Sequence, residues 1–325
     1  MEKPARRWRP YTDAKEHERE LLPILLHKLC QGISGPLHTF GRPPIPLSDV
    51  LFAMALKVYN KISCRNIRTE LKLAHQNGLL SKIPSRNTIH NYFENKAVTK
   101  YLLQLIVESS LPLREIETVF AIDSTGFSSS TKERWVDQRY GKSEVRDKRV
   151  WVKVHLMCGV KTNIVTAAAV SDAHKADSPY FKPLFKTTAR NFRIRRILGD
   201  KAYCALKNML LAWENKSLPI IPFKCNAKAE HASKDPLWTR LYHFYSLNAE
   251  WFDKSYHQRS NVESTFSMIK RLFEDYVLSR TKTAMVNEVL CKILCHNLCV
   301  LIRCMYELEI EPEFWQNGEK ISKAS

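Results

Sequence analysis

Up to about residue 115 the apolar positions recur at the spacing of helices with one buried face. After Pro46, Leu47 opens a segment that carries Val50, Leu51, Met54, Ala55 and Val58 on one side, with Ser48 as its expected cap. Between 64 and 75, Ile67, Leu71 and Ala74 point inward while Arg65, Arg68 and Lys72 point outward. A third helix follows Gly78 and Pro84, setting Ile89 and Phe93 on one face and Arg86, Asn87, His90 and Asn91 on the other. From about 116 the texture changes to short apolar runs bounded by turn residues. Strands are predicted at 118–127, ending at or just past Asp123, at 150–160, where Val152, Val154 and Leu156 alternate with Lys153 and His155, and at 164–170. Asn163 is the expected hairpin turn. Ser178-Pro179 predicts a capped helix to about Arg190; a strand at 196–200, a helix at 206–216 and a strand at 218–223 complete the pattern.

The order β-β-β-α-β-α-β, followed by long helices, is that of a ribonuclease-H-like α/β fold: a mixed five-stranded sheet with flanking helices. In that topology the first and fourth strands are neighbours. The organisation predicted is a helical region over 1–115, an α/β domain over 116–311, and a polar tail over 312–325 that frays. The first region, short helices ending in one with a polar face, resembles a helix-turn-helix module. There the last helix presents side chains to base edges and phosphates.

Charge narrows the partners. The 325 residues include 51 Lys and Arg against 33 Asp and Glu, a net charge of +18 that attracts polyanions. No stretch approaching the ~20 apolar residues of a spanning helix is expected, and the first residues lack the apolar core of a signal peptide. A cytoplasmic, nucleoid-associated protein is the simplest expectation. Nine scattered cysteines argue for reduced thiols. Cys291, Cys295 and Cys299 beside His296 repeat every fourth residue, but on the apolar stripe of a helix, which favours buried packing over zinc.

Candidate chemistry lies in three acidic residues. The run Val119-Phe120-Ala121-Ile122 ends in Asp123, and Ile197-Leu198-Gly199 ends in Asp200. Read as one helix, residues 256–270 place Tyr256, Arg259, Glu263 and Lys270 within an arc of roughly 60° at about 100° per residue. Carboxylates are hard oxygen ligands for Mg²⁺ or Mn²⁺, and a pair of such ions can activate an attacking oxygen and stabilise a leaving one on a phosphodiester. Each acid also has a plain alternative: a strand-end Asp caps turns, and Arg259 with Glu263 at i, i+4 forms a solvated ion pair. Asp172, His174 and Asp177 after the third strand are candidates for an extra ligand, a proton relay or a helix cap. Residues 128–149, with Trp135 and Tyr140 among basic side chains, offer either base stacking or a solvated loop. In 225–250, Trp238, Tyr242 and Tyr245 at helical spacing are read as core.

The pattern Tyr256-x2-Arg259-x3-Glu263-x6-Lys270 resembles the signature of the DDE transposases of bacterial and archaeal insertion sequences. The stretches Ala121-Ile122-Asp123-Ser124-Thr125-Gly126-Phe127, Gly199-Asp200-Lys201-Ala202-Tyr203 and Arg259-Ser260-Asn261-Val262-Glu263-Ser264-Thr265-Phe266 resemble that family's three catalytic blocks. The resemblance runs from about Gly41 to about Asn297, and no catalytic position departs from it. It implies a catalytic triad of Asp123, Asp200 and Glu263 holding Mg²⁺, with Mn²⁺ as substitute and two ions in the site. It also implies cleavage at element ends, strand transfer into target DNA, recognition of terminal inverted repeats by the N-terminal region, and a synaptic homodimer. Tyr256 and Arg259 are expected to position phosphates or a displaced base, and Lys270, about 10 Å along the axis from Glu263, a more distant phosphate. Two other readings stay open. One is a catalytically silent sequence-specific DNA-binding regulator, the other a structure-selective nuclease of the same fold.

Overall fold

The computed structural model of the chain describes residues 8–35, 41, 43–129, 151–230 and 235–316. They fall into two compact units: one built from residues 1–112, 128–150 and 269–325, the other from 113–127 and 151–268. The chain therefore leaves the first unit, builds the second, and returns.

The first unit is helical. Helices α1 (Trp8–Cys30), α2 (Leu47–Tyr59), α3 (Arg68–Gln76), α4 (Arg86–Glu94) and α5 (Lys96–Ser110) are joined by a last helix, α11 (Lys282–Glu307). α11 packs on α1, α2, α4 and α5 and is buried almost along its whole length. Contrary to the sequence expectation, this helix is long and apolar enough to cross a membrane, with a mean hydropathy of 1.6 in its most apolar window. That window is 94% buried in the protein, so its apolarity serves the core. Cys291, Cys295 and Cys299 are buried free thiols within it, and among the described residues no metal-ready cluster forms around them.

Two buried amides organise this core. Asn287 donates to the carbonyls of Phe93 (2.9 Å) and Asn95 (3.2 Å) and accepts from the Thr99 hydroxyl (2.8 Å). Asn297 donates to Ile106 O (3.2 Å) and Ser109 Oγ (2.9 Å). Carbonyls at a helix end lack intrahelical partners, so Asn287 satisfies groups that burial would otherwise strand. Asn95 in turn caps α5 by accepting from Ala97 N at 2.9 Å. The predicted cap of α2 is not seen: the helix starts at Leu47 behind Pro46, with no side-chain cap, and Ser48 lies inside it. Ser85 does cap α4, accepting from Thr88 N. The start of the tail is anchored at Trp315, and the fraying expected over 317–325 lies outside the described residues. The Trp315 indole donates to Leu29 O (2.9 Å), and the ring fills the space above Gly32, where a Cβ would lie 2.1 Å from it.

The second unit holds the sheet. Its strands are β1 (Val119–Ser129), β2 (Trp151–Gly159), β3 (Val165–Asp172), β4 (Arg196–Gly199) and β5 (Leu218–Ile220), in the spatial order β3-β2-β1-β4-β5. β2 and β3 form an antiparallel hairpin; β1, β4 and β5 run parallel. The predicted strand order and the β1–β4 neighbourhood hold. The sheet has six strands rather than five, because the last two residues of β1 pair with a two-residue β6 (Tyr276–Val277) within the helical unit. Asn163 takes φ 66° at the hairpin turn, as its short polar side chain permits. Glu117 ties that turn down, accepting from Thr162 N (2.6 Å), Thr162 Oγ1 (2.7 Å) and Lys161 N (3.3 Å); burial raises its pKa against those bonds. Helix α6 (Ser178–Ala189) covers β2 and β3, and α7 (Leu206–Glu214) packs on α6 and β5. Helices α8 (Pro236–Leu247), α9 (Ala249–Tyr256) and α10 (Ser260–Phe273) follow. Replacing Asn287 with Ala takes the partner from three polar groups, of which the Phe93 carbonyl is buried, and we expect a loss of about 1 to 3 kcal/mol in urea unfolding. A loss within error of zero would contradict this account of the core.

Candidate active site

The parallel register of β1 and β4 ends at the pair Ile122↔Gly199, and the next residue on each strand is an aspartate. Asp123 and Asp200 thus stand side by side at one end of the sheet. Asp123 is partly buried; its Oδ1 accepts from Ser124 N (2.8 Å) and its Oδ2 from Arg259 Nη1 (3.1 Å). Burial raises its pKa, the Ser124 bond and Arg259 oppose that rise, and the neighbouring charges of Asp200 and Glu263 add to it. Asp200 also does the modest job anticipated for a strand-end acid. Its Oδ1 caps the 3-10 turn Lys201–Tyr203 by accepting from Ala202 N at 2.8 Å.

Glu263 arrives on the first turn of α10, whose apolar side buries Val262, Thr265 and Phe266. The Thr265 hydroxyl bonds Asn163 Oδ1 (3.2 Å) at the hairpin turn. The second Arg259 nitrogen, Nη2, pairs with Glu263 Oε1, so one guanidinium links Asp123 to Glu263. Arg259 also lies over the Tyr256 ring, 5.7 Å from its centroid, and that ring stacks on Phe252 at 5.8 Å. Phe252 continues an aromatic column through Tyr245 to Phe223, which packs on Trp238 at 4.8 Å. Trp238 and Tyr245 are therefore core, as expected, whereas Tyr242 is half-buried and Phe244 exposed.

Three sequence expectations change. Residues 256–270 are not one helix: α9 ends at Tyr256, a 3-10 turn covers His257–Arg259, and α10 begins at Ser260. Tyr256 and Arg259 reach the acids across this break instead of along a continuous stripe, and Lys270 lies about two turns beyond Glu263 on α10. Ser178 is the first residue of α6, not its cap; Asp177 holds the cap position without a side-chain cap bond. Its carboxylate is engaged elsewhere, with Ser124 Oγ (2.8 Å) and Lys153 Nζ (2.7 Å) on Oδ1, while His155 Nδ1 lies 3.3 Å from the same oxygen without a hydrogen bond. Asp172 ends β3 and His174 is exposed in the loop that follows. Arg86, Asn87, His90 and Asn91 are all exposed on α4 in the helical unit. The loop at 128–149 lies outside the described residues beyond Ser129.

A divalent cation suits part of this set. Two hard carboxylates stand just past the paired segments of adjacent strands, and Asp123 sits in concentrated negative charge that a cation would relieve. Among the described residues, however, no three His, Cys, Asp or Glu side chains form a metal-ready group, since Arg259 links Asp123 to Glu263. Sequence reasoning missed Ser124, Lys153 and His155 as neighbours of the site. The available signal was two polar residues on alternate positions of β2, one of which, His155, is fully buried.

Paired parallel segments that are each followed by an aspartate, with a glutamate helix beside them, define an acidic site on a mixed α/β domain. Residues 114–298 match the transposase DDE domain family, and the chain belongs to that family. A solved structure, the piggyBac transposase synaptic complex with hairpin DNA, is similar at 12% identity over 93% of this chain and 77% of that one, with a TM-score of 0.43.

Buried His155 stacks on Tyr180 (3.9 Å between centroids) and bonds Ser171 Oγ through Nε2 (2.9 Å). Burial lowers its pKa to about 4; Asp177 opposes that shift and Lys153 adds to it. Against ~6.5 when unfolded, protonation favours the unfolded chain. The stability it contributes is thus complete above about pH 6.5 and lost toward pH 4, about 3 kcal/mol in all. We expect His155→Phe to lose correspondingly less than wild type across that interval in urea unfolding; parallel pH profiles would contradict it.

Proposed function

We propose that this transposase cleaves DNA at the ends of its element and joins them to target DNA, using Asp123, Asp200 and Glu263 as the catalytic acids. The observation that carries this reading is the placement of Asp123 and Asp200 directly after the paired parallel segments of β1 and β4, with Glu263 linked to Asp123 through Arg259. Asp123, Asp200 and Glu263 would hold Mg²⁺ or Mn²⁺, two ions in the full site, with Arg259 releasing Glu263. When bound, the metal supplies Lewis-acid activation of the attacking oxygen and neutralises charge on the leaving one. Arg259, set over Tyr256, then serves as a phosphate clamp beside the reacting strand, with two nitrogens in a fixed fork. Lys270 holds a phosphate farther along the strand. No covalent protein intermediate is required, so Tyr256 acts in positioning.

The exposed Arg86, Asn87, His90 and Asn91 of α4 suit contact with the terminal inverted repeats, and the net charge of +18 suits non-specific attraction to target DNA. The four-residue signature supports a reading as a YREK-group transposase of bacterial and archaeal insertion sequences, and with that reading go a ribonuclease-H-like architecture and a synaptic homodimer.

A catalytically silent DNA-binding regulator is the second reading, and one observation favours it: Arg259 already neutralises two of the three acids. The test is a gel assay on a plasmid carrying the gene's own flanks, with Mg²⁺, Mn²⁺ or chelator. Wild type is expected to cut at the flank ends and yield joined products only with metal, whereas Asp123→Asn, Asp200→Asn and Glu263→Gln bind DNA and leave it uncut. Full activity in any of the three would sink the assignment; bound but uncut DNA with wild type would select the regulator, and nicks without joining a plain nuclease. In the same assay Arg86→Ala or Asn91→Ala should weaken binding to the ends by about 1 to 3 kcal/mol. Unchanged binding in both would remove α4 from the interface.

A further inference from the structure

Asp177 stands where a helix cap is expected and does not cap. Its backbone at φ −79°, ψ −38° is helical, and its carboxylate turns to the sheet instead. On Oδ1 converge the Ser124 hydroxyl from β1, the Lys153 ammonium and the His155 ring from β2. Lys153 also donates to Lys175 O at 3.1 Å, which fixes the loop leading to α6, and His155 stacks nearly parallel to Tyr180 on α6 itself. One carboxylate thus joins two strands and the start of a helix.

Ser124 follows Asp123 directly. Side chains alternate along a strand, so the two residues project from opposite faces of β1. Ser124 is held at both ends: its N–H by the Asp123 carboxylate and its hydroxyl by Asp177. Force applied at Asp177 therefore reaches Asp123 only through the β1 backbone.

We propose that Asp177 is a positioning residue for the acidic site, holding Ser124 and through it the backbone and carboxylate of Asp123 in register beside Asp200. The proposal rests on the reading of Asp123 and Asp200 as metal-binding acids. Lys153 supplies the counter-charge that keeps Asp177 aimed at β1, and the His155–Tyr180 stack keeps α6 from sliding. Reacting groups tolerate displacements of only about 0.5 Å, and a shift near 1 Å costs on the order of 100-fold in rate.

The experiment uses the full chain without DNA and follows Mn²⁺ binding by titration calorimetry. Asp177→Asn and Ser124→Ala are compared with wild type, Ser124→Thr and Asp200→Asn, alongside thermal melting and end-DNA binding. Asp177→Asn and Ser124→Ala are expected to weaken Mn²⁺ binding about tenfold and end cleavage on the order of 100-fold. DNA affinity stays within about twofold, and Ser124→Thr, which keeps the hydroxyl, restores Mn²⁺ binding. Wild-type Mn²⁺ affinity in Asp177→Asn, or no rescue by Ser124→Thr, would overturn the proposal; should Asp177→Asn fail to fold, Ser124→Ala removes a single hydroxyl and carries the same test. If wild type and Asp200→Asn bind Mn²⁺ alike, it is the metal reading that fails. Amide hydrogen exchange over residues 120–125 then decides: Asp177→Asn should speed it at least about tenfold at matched global stability, and unchanged exchange would overturn the positioning role.

Discussion

Pairing β1 with β4 in parallel register forces two like charges together. Ile122 opposite Gly199 puts Asp123 opposite Asp200 with no freedom to separate, because sliding either strand by one residue would turn its apolar side chains out of the core. Repulsion between neighbouring carboxylates in a partly buried position needs a counter-charge or a raised proton affinity. Both are present: Asp123 is pushed toward its protonated form by burial and by its acidic neighbours, and Arg259 pulls the other way. The route from α9 to α10 follows from this requirement, since the 3-10 turn at His257–Arg259 delivers the guanidinium between Asp123 and Glu263.

In the helical unit the comparable constraint is polarity inside an apolar core. α11 is apolar enough for a bilayer, yet it carries buried Asn287, Glu288, Lys292 and Asn297. Each answers backbone groups that helix ends and short strands leave open. Glu288 accepts from Leu278 N (2.9 Å) and Ser279 N (2.8 Å), and Lys292 donates to Glu274 O (3.1 Å) and Tyr276 O, so that β6 and its flanks are fixed by one helix face. Burial lowers the Lys292 pKa to about 8, with Glu288 opposing the shift. Such groups specify which neighbours α11 accepts, where apolar contact alone would tolerate several packings.

The elements legible in the sequence were those set by local periodicity. Alternation along β2, the Asn163 turn and the apolar runs that end in Asp123 and Asp200 all depend on residues within a few positions of one another. What periodicity could not carry was the break at 257–259, where no glycine or proline marks the end of α9 and the angular stripe of Tyr256, Arg259 and Glu263 fits a continuous helix equally well. Nor could it place Asp177. Ser178-Pro179 is a sound local helix start, but the choice between cap and carboxylate bridge was made by Ser124 and Lys153, brought from other strands by the sheet. α11 erred in the opposite direction: its scattered polar residues masked how apolar the whole stretch is.

The bridging cation is arginine for reasons the geometry makes concrete. Asp123 Oδ2 and Glu263 Oε1 are reached by different nitrogens of one planar group, whose central carbon lies over the Tyr256 ring. A lysine ammonium is a compact point charge on a flexible stem and has no planar face for the ring. The same fork that holds two carboxylates matches two oxygens of a phosphate. A guanidinium at this position can therefore exchange one anionic partner for another without changing its support, since Tyr256 is itself held by Phe252 and the aromatic column behind it. Under the proposed function, charge balance among the acids and contact with a DNA backbone are in this way two uses of one side chain.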